Sequence, residues 1–559
     1  MTHSATQLDS AHFDVTIIGA GINGVGLFRE LAMQGINVLL IDRDDICAGA
    51  SAAPSRLIHG GIKYLETGEF RLVAQSTLER NLLLRNAPHL VTPLPTVIPI
   101  HSWFGGIVPS IRRFLGRKAK LADRGVLITE IGMQIYDFLG RRARVMPRHK
   151  LSLGKNVRQD WPSITSKVIA TGRYYDAAIS QPERLGFECV EDALQLSLGC
   201  GVKTYTEIVS FDEGALAIKD RLTGNTETIR TDLIVNAGGA WIDRVNAQIG
   251  LNTRYIGGTK GSHLVIDHAE LHRELNGQMV YFGTADGRIC LVYPFLGHVL
   301  VGSTDIPITD PDTASCTDDE QAYMLRMVRE LFPGLTIADG DVIYRYCGVR
   351  PLPASATDDP GAISRDHIIH TDYTGTTPVL SLVGGKWTTF RGLAEEVADK
   401  TLALLHRKRI ASSRLRPIGG GARYPGPRAH DAYLRRLIET HSLSASRARS
   451  LFERYGTTAE RIAAYCAATP DQPLASLPEY SRNEILYVAS QELVRSVDDI
   501  LFRRTSIALG GHLTQQVVEE VCSIMAPHMG WTDQESTSQA QTCWNKAKTV
   551  HGLRDASAS

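Results

Sequence analysis

The sequence predicts an α/β protein with a nucleotide-binding parallel sheet, and three observations support this prediction. An apolar strand that begins near Val15 runs directly into three glycines, Gly19, Gly21 and Gly24, which are followed by a helical pattern. A second apolar run, residues 38–41, ends in Asp42, and a third, residues 233–236, also ends in glycines. Apolar strands alternating with helices are typical of parallel sheets that are buried on both faces.

The glycine motif predicts the turn that receives a dinucleotide pyrophosphate. Gly19 permits the tight turn, Gly21 lets the backbone approach the phosphates, and Gly24 lets the helix pack closely against the strand. The free N–H groups and the positive end of the helix dipole attract the anion. Asp42 follows at the distance, about 20 residues, where a carboxylate binds the ribose hydroxyls. The alternative is a glycine turn without a ligand, but strand, spacing and acid together favour the cofactor.

Composition excludes several classes of protein. The 559 residues suit two to four domains, and 60 basic residues balance 60 acidic ones, so global charge predicts no nucleic-acid partner. The nine cysteines form no Cys-x-x-Cys pair, so we predict no metal site and a reducing, cytoplasmic location. Neither a secretory signal nor an apolar run long enough to span a membrane is visible.

The pattern along the chain predicts three regions and a tail. The cofactor domain is expected at 13–100, 180–258 and 346–400, with the substrate-binding or cap region at 101–179 and 259–345. Prolines 88, 93, 95 and 99 are expected to break the chain after a helix that begins at Phe70. Residues 422–532 are predicted to be helical, and 533–559 to form a loose polar tail.

Residues 101–120 combine apolar and basic side chains in an unusual way. Trp103, Phe104 and further apolar residues up to Leu115 stand beside Arg112, Arg113 and the basic residues at 117–120. Such a segment can lie in a membrane interface, although an ordinary surface helix has the same pattern.

Seven ordered motifs resemble the FAD-dependent glycerol-3-phosphate dehydrogenases of the aerobic, quinone-linked type. Besides the glycine motif they are residues 55–71 (Ser-Arg-Leu-Ile-His-Gly-Gly-Ile-Lys-Tyr onward), 260–263, 302–305, 347–352, 363–366 and 384–391. The resemblance covers roughly residues 13–400, and the tail resembles the helical C-terminal region of that family through residues 454–456 and 498–504.

The resemblance implies a two-dinucleotide-type, Rossmann-like FAD-binding domain, an inserted mixed-sheet substrate domain and a C-terminal helical domain. The residues expected to contact FAD are Gly19, Gly21, Asn23, Gly24, Asp42, Ser51, Ser55, His59, Gly60, Gly61, Ile208, Ala237, Gly238, Gly385, Lys386 and Thr388. The residues expected to contact a phosphorylated substrate are Lys63, Tyr64, Thr304, Arg365 and Lys386.

Two residues are candidates for the chemistry of alcohol oxidation. Arg350 matches the family arginine beside the reacting hydroxyl, and because arginine stays protonated, we expect it to stabilise a developing alkoxide. His263 is the better proton acceptor, since imidazole titrates near neutrality. A core histidine bonded to a backbone carbonyl is the alternative for His263.

The chain departs from the family pattern at Lys63, where arginine is common, and in a longer block at about 104–130. A lysine ammonium binds a phosphate as a point charge, whereas an arginine guanidinium can donate two parallel hydrogen bonds to it. The expected reaction is therefore oxidation of glycerol 3-phosphate, with a longer polyol phosphate such as erythritol phosphate as the alternative substrate.

The expected electron acceptor is quinone at the cytoplasmic face of the inner membrane, and a homodimer is left open. A soluble oxidase that uses oxygen is the alternative enzyme. A flavin-binding sensor without turnover is the alternative from another class, but it would have no need of the cationic residues Arg350, Arg365 and Lys386.

Overall fold

A computed structural model describes residues 12–65, 68–105, 125–284, 287–354 and 366–554. Its strands, in chain order, are β1 (His12–Ile18), β2 (Val38–Ile41), β3 (Leu57–Ile58), β4 (Val91–Ile100), β5 (Lys150–Leu153), β6 (Ala170–Ile179), β7 (Gly201–Lys203), β8 (Thr206–Asp212), β9 (Ala215–Asp220), β10 (Thr226–Asn236), β11 (Thr259–Ile266), β12 (Met279–Gly283), β13 (Ile289–Phe295), β14 (His298–Gly302), β15 (Ile306–Pro307), β16 (Val342–Arg350), β17 (Ile368–Thr374) and β18 (Thr377–Val383).

The α-helices of the described residues are α1 (Ile22–Met33), α2 (Phe70–Asn86), α3 (Val126–Leu139), α4 (Lys155–Asp160), α5 (Pro182–Leu196), α6 (Ile242–Gln248), α7 (Ala269–Leu275), α8 (Asp318–Leu331), α9 (Phe390–Leu404), α10 (His430–His441), α11 (Ala445–Tyr455), α12 (Ala459–Ala467), α13 (Arg482–Gln491), α14 (Gln515–Met529) and α15 (Asp533–His551). Between α13 and α14, a short turn Val497–Asp499 runs into a π-helical turn Ile500–Arg504.

The first sheet has the strand order β17-β18-β10-β1-β2-β7, and β8 and β9 extend from β10. β1 lies parallel between β2 and β10, and β18 continues the parallel part. Helix α1 is buried on nearly every side, because α5 and α9 pack against it. Its close packing needs a small residue, since a Cβ on Gly26 would lie 2.6 Å from the Phe390 ring. The predicted FAD-binding α/β fold is confirmed.

The second sheet includes ten strands among the described residues, and β11 lies in it between β14 and β16. Its members show that the predicted domain boundaries were misplaced, because β3, β4 and all of β16 belong to this sheet and not to the cofactor sheet. β4 pairs with β6 along all ten of its residues, although it contains Pro93, Pro95 and Pro99.

The prediction that these prolines break the chain is therefore wrong. The positions of the three prolines differ by two and by four, so their missing N–H groups all fall on one edge of β4. The opposite edge of β4 retains its backbone N–H groups, and this edge pairs with β6.

The C-terminal helices α10–α15 form a region that packs against the second sheet. Tyr344 and Tyr346 of β16 share one apolar core with Leu501, Trp544 and other residues of these helices. The predicted loose tail is corrected, because residues 533–551 form α15, which begins with a capping box between Thr532 and Glu535. The helix has a narrow apolar stripe that the mainly polar sequence did not reveal. Its buried residues, spaced one or three positions apart, are Ala540, Cys543, Trp544 and Ala547.

Candidate cofactor and substrate site

The glycine turn after β1 has the geometry that the sequence predicted. Gly19 has φ of +110°, and a Cβ placed there would lie 2.5 Å from the carbonyl oxygen of Ala237. A Cβ on Gly24 would overlap the carbonyl oxygen of Gly19, so only glycine allows α1 to approach β1 this closely. The backbone N–H of Ile22, in the first turn of α1, donates to Ser51 Oγ at 2.9 Å.

Asp42 lies at the carboxyl end of β2, where the ribose-binding acid was predicted. Its carboxylate accepts hydrogen bonds from the N–H groups of Ala20, at 2.6 Å, and Asp44, at 2.9 Å. Burial nevertheless raises the pKa of Asp42 to about 7, since two backbone donors compensate only part of the lost solvation. Further hydroxyl donors would stabilise this carboxylate, and the ribose of an adenine dinucleotide supplies two of them.

A cavity of about 650 Å³ runs from the glycine turn to the second sheet. Most of the predicted site residues line it: Gly19, Gly21, Asn23, Asp42, Ser51, Ser55, His59, Tyr64, Ile208, Ala237, Gly238, His263, Arg350, Gly385, Lys386 and Thr388. Gly24, Gly60, Gly61 and Lys63 are near it without lining it, and Arg365 lies outside the described residues.

The cavity suits FAD in shape and in chemistry. The glycine turn presents bare backbone at the place where the pyrophosphate is expected. The Asn23 side-chain oxygen is buried without a hydrogen-bond partner among the described residues. A ligand donor at that oxygen would satisfy it.

A buried polar network fixes the backbone of the loop His59–Gly61. The N–H of Gly60 donates to the hydroxyl of Tyr136, at 2.9 Å, and to Asp176 Oδ1, at 3.0 Å. Arg80 completes the network with a 2.8 Å ion pair to Asp176. These three supporting residues were missed by sequence reasoning, although Asp176, the one charged residue among residues 174–179 of β6, was a visible signal.

His59 itself is neutral at physiological pH. Burial lowers its pKa to about 4, and the nearby cations Lys386 and Arg80 act in the same direction against the attraction of Asp176. Its backbone N–H donates to Thr388 Oγ1 at 3.1 Å, which joins the loop to the segment that carries Lys386.

Two of the expected phosphate-binding residues contact each other. The Lys386 ammonium lies 3.7 Å from the centre of the Tyr64 ring. Lys63 precedes Tyr64 in the short 3-10 turn Ile62–Leu65. A cation and a phenol are thus brought together from segments more than 300 residues apart, at the wall of the cavity.

His263 and Arg350 lie on the neighbouring strands β11 and β16, and both line the cavity. His263 Nε2 is 2.8 Å from Ser55 Oγ, its ring stacks on Tyr346 at 4.9 Å, and Nδ1 has no hydrogen-bond partner among the described residues. Burial lowers the pKa of His263 to about 3, and the positive charges of Arg350 and Arg56 contribute. The imidazole is therefore neutral at physiological pH, and its pKa lies well below the neutral range that the sequence analysis expected.

Arg350 is held in place by the segment that follows β14. Its guanidinium forms an ion pair with Asp305 at 3.0 Å and donates to Ser303 Oγ and to the carbonyl oxygen of Thr304. Such multiple bonds fix the direction of its positive charge.

The prediction that the Thr304 side chain contacts substrate is corrected. This side chain is buried, its hydroxyl donates to Glu320 at 2.6 Å, and the same oxygen accepts from the N–H of Ser262. Glu320 also binds Lys260, so Thr304 belongs to a polar network that fixes the β11–α8 contact.

Comparisons with known proteins agree with this architecture. The family model "FAD dependent oxidoreductase" matches residues 14–400, and the model "C-terminal domain of alpha-glycerophosphate oxidase" matches residues 412–536. A glycerol-3-phosphate dehydrogenase of Synechocystis is 31% identical, with 96% of each chain covered. The aerobic glycerol-3-phosphate dehydrogenase of Bacillus subtilis is 27% identical, with 98% of this chain and 96% of that protein covered.

A solved structure shares the whole fold. It is the glycerol-3-phosphate dehydrogenase of Bacillus halodurans complexed with FAD, with a TM-score of 0.75 at 23% identity, covering 97% of this chain and 96% of that one. From the glycine turn, the cavity and these matches, we conclude that the chain belongs to the FAD-dependent oxidoreductases, in the family of the glycerol-3-phosphate dehydrogenases.

Proposed function

We propose that this enzyme oxidises glycerol 3-phosphate to dihydroxyacetone phosphate and passes the electrons to quinone. One observation carries the proposal: a single cavity is lined by the glycine turn after β1, by His263 and Arg350, and by Lys386 and Tyr64. The relatives with similar sequences are named for the same substrate. FAD, when bound, accepts the hydride from the carbon that carries the hydroxyl.

His263 is proposed to take the hydroxyl proton. His263 lines the cavity together with Ser55, whose Oγ lies 2.8 Å from His263 Nε2. As the hydride leaves carbon, the oxygen gains negative charge, and the fixed guanidinium of Arg350 would stabilise it. The two residues therefore have separate roles, one for the proton and one for charge.

The phosphate is proposed to bind Lys386, Lys63 and Arg365. Lys386 is at the cavity wall, and Lys63 is one residue from Tyr64, which is also there. Arg365, outside the described residues, is included because its motif matches the family. A phosphate dianion binds best where several cations converge on it.

Attachment to a membrane surface is supported by the exposed face of α3. Leu127, Ile131 and Phe138, spaced four and seven residues apart, are 48%, 49% and 59% exposed, and Trp103 and Phe104 precede the helix with 52% and 74% exposure. Arginines follow at the end of α3, and the Arg141 guanidinium lies 4.2 Å from the centre of the Phe138 ring.

An apolar face next to cations is typical of a helix that lies in a lipid interface. No helix within the described ranges combines the length and the apolar character needed to cross a bilayer. Residues 106–120, the rest of the segment expected to bind lipid, lie outside the described residues.

The proposal is tested by anaerobic reduction of the bound flavin. Glycerol 3-phosphate, erythritol 4-phosphate and unphosphorylated glycerol are added separately to the holoenzyme, and the visible flavin absorbance is followed. We expect rapid bleaching by glycerol 3-phosphate, slower bleaching by the four-carbon phosphate, and none by glycerol. Preferred reduction by the four-carbon compound would reassign the substrate, and no bleaching by any compound would support the sensor alternative.

A second step distinguishes the acceptors. The reduced enzyme is mixed with either a soluble quinone analogue or oxygen, and reoxidation is timed. Faster reoxidation by oxygen than by the quinone would favour the oxidase alternative.

A further inference from the structure

Asp45, three residues after the ribose-binding Asp42, is completely buried against two arginines of the C-terminal region. Arg504 donates to both of its carboxylate oxygens, each at 2.8 Å, and Arg503 Nε donates to Oδ2 at 2.5 Å. The π-helical turn Ile500–Arg504 presents both consecutive arginines to this one carboxylate. Single π-helical turns of this kind are frequent at functional sites.

The same arginines connect to the other side of the ribose-binding segment. Arg503 also donates to Asp499 at 2.5 Å, and Asp499 accepts the hydroxyl of Tyr205 at 2.5 Å. The N–H of Tyr205 donates to the carbonyl oxygen of Asp44. Two chains of hydrogen bonds, one through Asp45 and one through Tyr205, therefore hold residues 42–45 from the C-terminal region.

The segment is also fixed at its far end. The N–H of Cys47 donates to the carbonyl oxygen of Ala20 within the glycine turn, and Cys47 has a left-handed φ of +57°. Because Asp42 accepts the N–H of the same Ala20, a shift of residues 42–47 would move both the ribose site and the phosphate turn.

We propose that Arg503 and Arg504 are positioning residues for FAD, so that the C-terminal region completes the cofactor site by holding Asp45 and, through it, Asp42. The inference depends on FAD binding and not on the identity of the substrate. It assigns the C-terminal region a role in a site that this region does not line, since no described residue beyond Thr388 lines the cavity.

Charge and burial agree with a positioning role. Burial alone would raise the pKa of Asp45, but Arg504 and Arg503 lower it below its usual range, so the Asp45 carboxylate stays ionised. A buried ion cluster is a weak source of net stability compared with apolar packing, but it strongly restricts geometry. The cluster is therefore better suited to holding a loop in one position than to raising the free energy of unfolding.

The test compares FAD release from three variants of the holoenzyme after dilution, followed by the rise of free-flavin fluorescence. Arg503→Lys keeps the charge but removes the two separate nitrogens, Nε and Nη2, that bond to Asp45 and to Asp499. Tyr205→Phe removes one hydroxyl and no charge, so it tests the second chain of bonds with little risk to folding. We expect Arg503→Lys to release FAD about tenfold faster, equivalent to about 1.4 kcal/mol, and Tyr205→Phe to accelerate release to a smaller degree.

Arg454→Lys is the matched control. Arg454 forms an ion pair with the fully buried Glu484 inside the C-terminal region, and neither residue lines the cavity. The Arg454→Lys variant should lower the melting temperature about as much as Arg503→Lys does, and it should release FAD at the wild-type rate. The proposal is overturned if Arg503→Lys and Tyr205→Phe both release FAD at the wild-type rate, or if Arg454→Lys accelerates release as much as Arg503→Lys.

Discussion

At the residue scale, the environment of Arg350 determines what its loss should do. The guanidinium is fixed by Asp305, Ser303 and the carbonyl of Thr304, so its charge points in one direction before substrate arrives. Preorganised charge of this kind acts on the transition state more than on the bound substrate.

Arg350→Ala should therefore lower kcat about a hundredfold, a loss of about 3 kcal/mol, with little change in KM. Steady-state kinetics with glycerol 3-phosphate measure both constants. Arg345→Ala, on the same strand but paired with the exposed Asp318, is the control and should keep wild-type rates. A change confined to KM would assign Arg350 to substrate binding instead.

The buried histidines make a prediction about pH. The pKa of His263 is lowered from 6.5 to about 3 and that of His59 from 6.5 to about 4. Below pH 6.5 the unfolded chain binds protons that the folded chain does not, so stability is lost as pH falls through this range. Each histidine should reduce the free energy of unfolding by up to about 1.4 kcal/mol for each pH unit below 6.5.

The measurement is the melting temperature of wild type and of His263→Gln between pH 7 and pH 5. The variant should lose less stability on acidification than wild type, because it lacks one of the protonating groups. Parallel curves for the two proteins would mean that His263 does not contribute in this way.

The family resemblance leads us to expect arginine at position 63, so Lys63 should affect specificity. An ammonium accepts more phosphate positions than a guanidinium fork does. Lys63→Arg should raise the ratio of kcat/KM for glycerol 3-phosphate over erythritol 4-phosphate. If the ratio stays the same, Lys63 has no part in choosing between the two substrates.

At the element scale, α3 connects a surface to the flavin loop. Its exposed face carries Leu127, Ile131 and Phe138, while its buried face carries Tyr136, whose hydroxyl binds the N–H of Gly60. One helix thus contacts both the proposed lipid surface and the loop expected at the flavin.

A triple variant of the exposed α3 face should co-sediment with anionic liposomes less than wild type does. Its substitutions are Leu127→Ser, Ile131→Ser and Phe138→Ser. Each side chain contributes at most about 1.5–3 kcal/mol when buried in lipid. The control replaces three exposed apolar residues elsewhere, Leu198, Leu222 and Ile410, by serine and should sediment like wild type. Equal sedimentation of both triple variants would show that the α3 face does not bind lipid, and would favour a soluble acceptor.

At the scale of the whole molecule, the second sheet and the C-terminal helices share one core. Trp544 of α15 is 3% exposed in that core, although the sequence predicted a loose tail there. Trp544→Ala should lower the free energy of unfolding by about 3–5 kcal/mol, and unfolding in urea would measure it. Thr542→Ala, exposed on the same helix, should change it by less than about 0.5 kcal/mol.

Local patterns in the sequence were sufficient for much of the fold and of the cofactor site. The glycines at 19, 21 and 24, the strand before them and Asp42 stand within one βαβ unit, so spacing alone predicted their geometry. Helices were also recognised, since the stretch predicted to be helical, residues 422–532, contains α10–α14. These features depend on neighbours in sequence, which is why a single chain is enough to predict them.

Other features were decided only by contacts between distant segments. The prolines of β4 are tolerated because β6 pairs with the edge that keeps its donors, and the sequence around them carries no sign of that partner. The hydroxyl of Thr304 is taken by Glu320, sixteen residues later, and Asp45 is bound by arginines more than 450 residues away.

The sequence by itself therefore determined the cofactor fold, the family and most of the residues around the cavity. The tertiary structure alone decided which polar groups face the cavity and which are used to hold it, because a buried hydrogen-bonding group takes whatever partner the packing of distant elements provides.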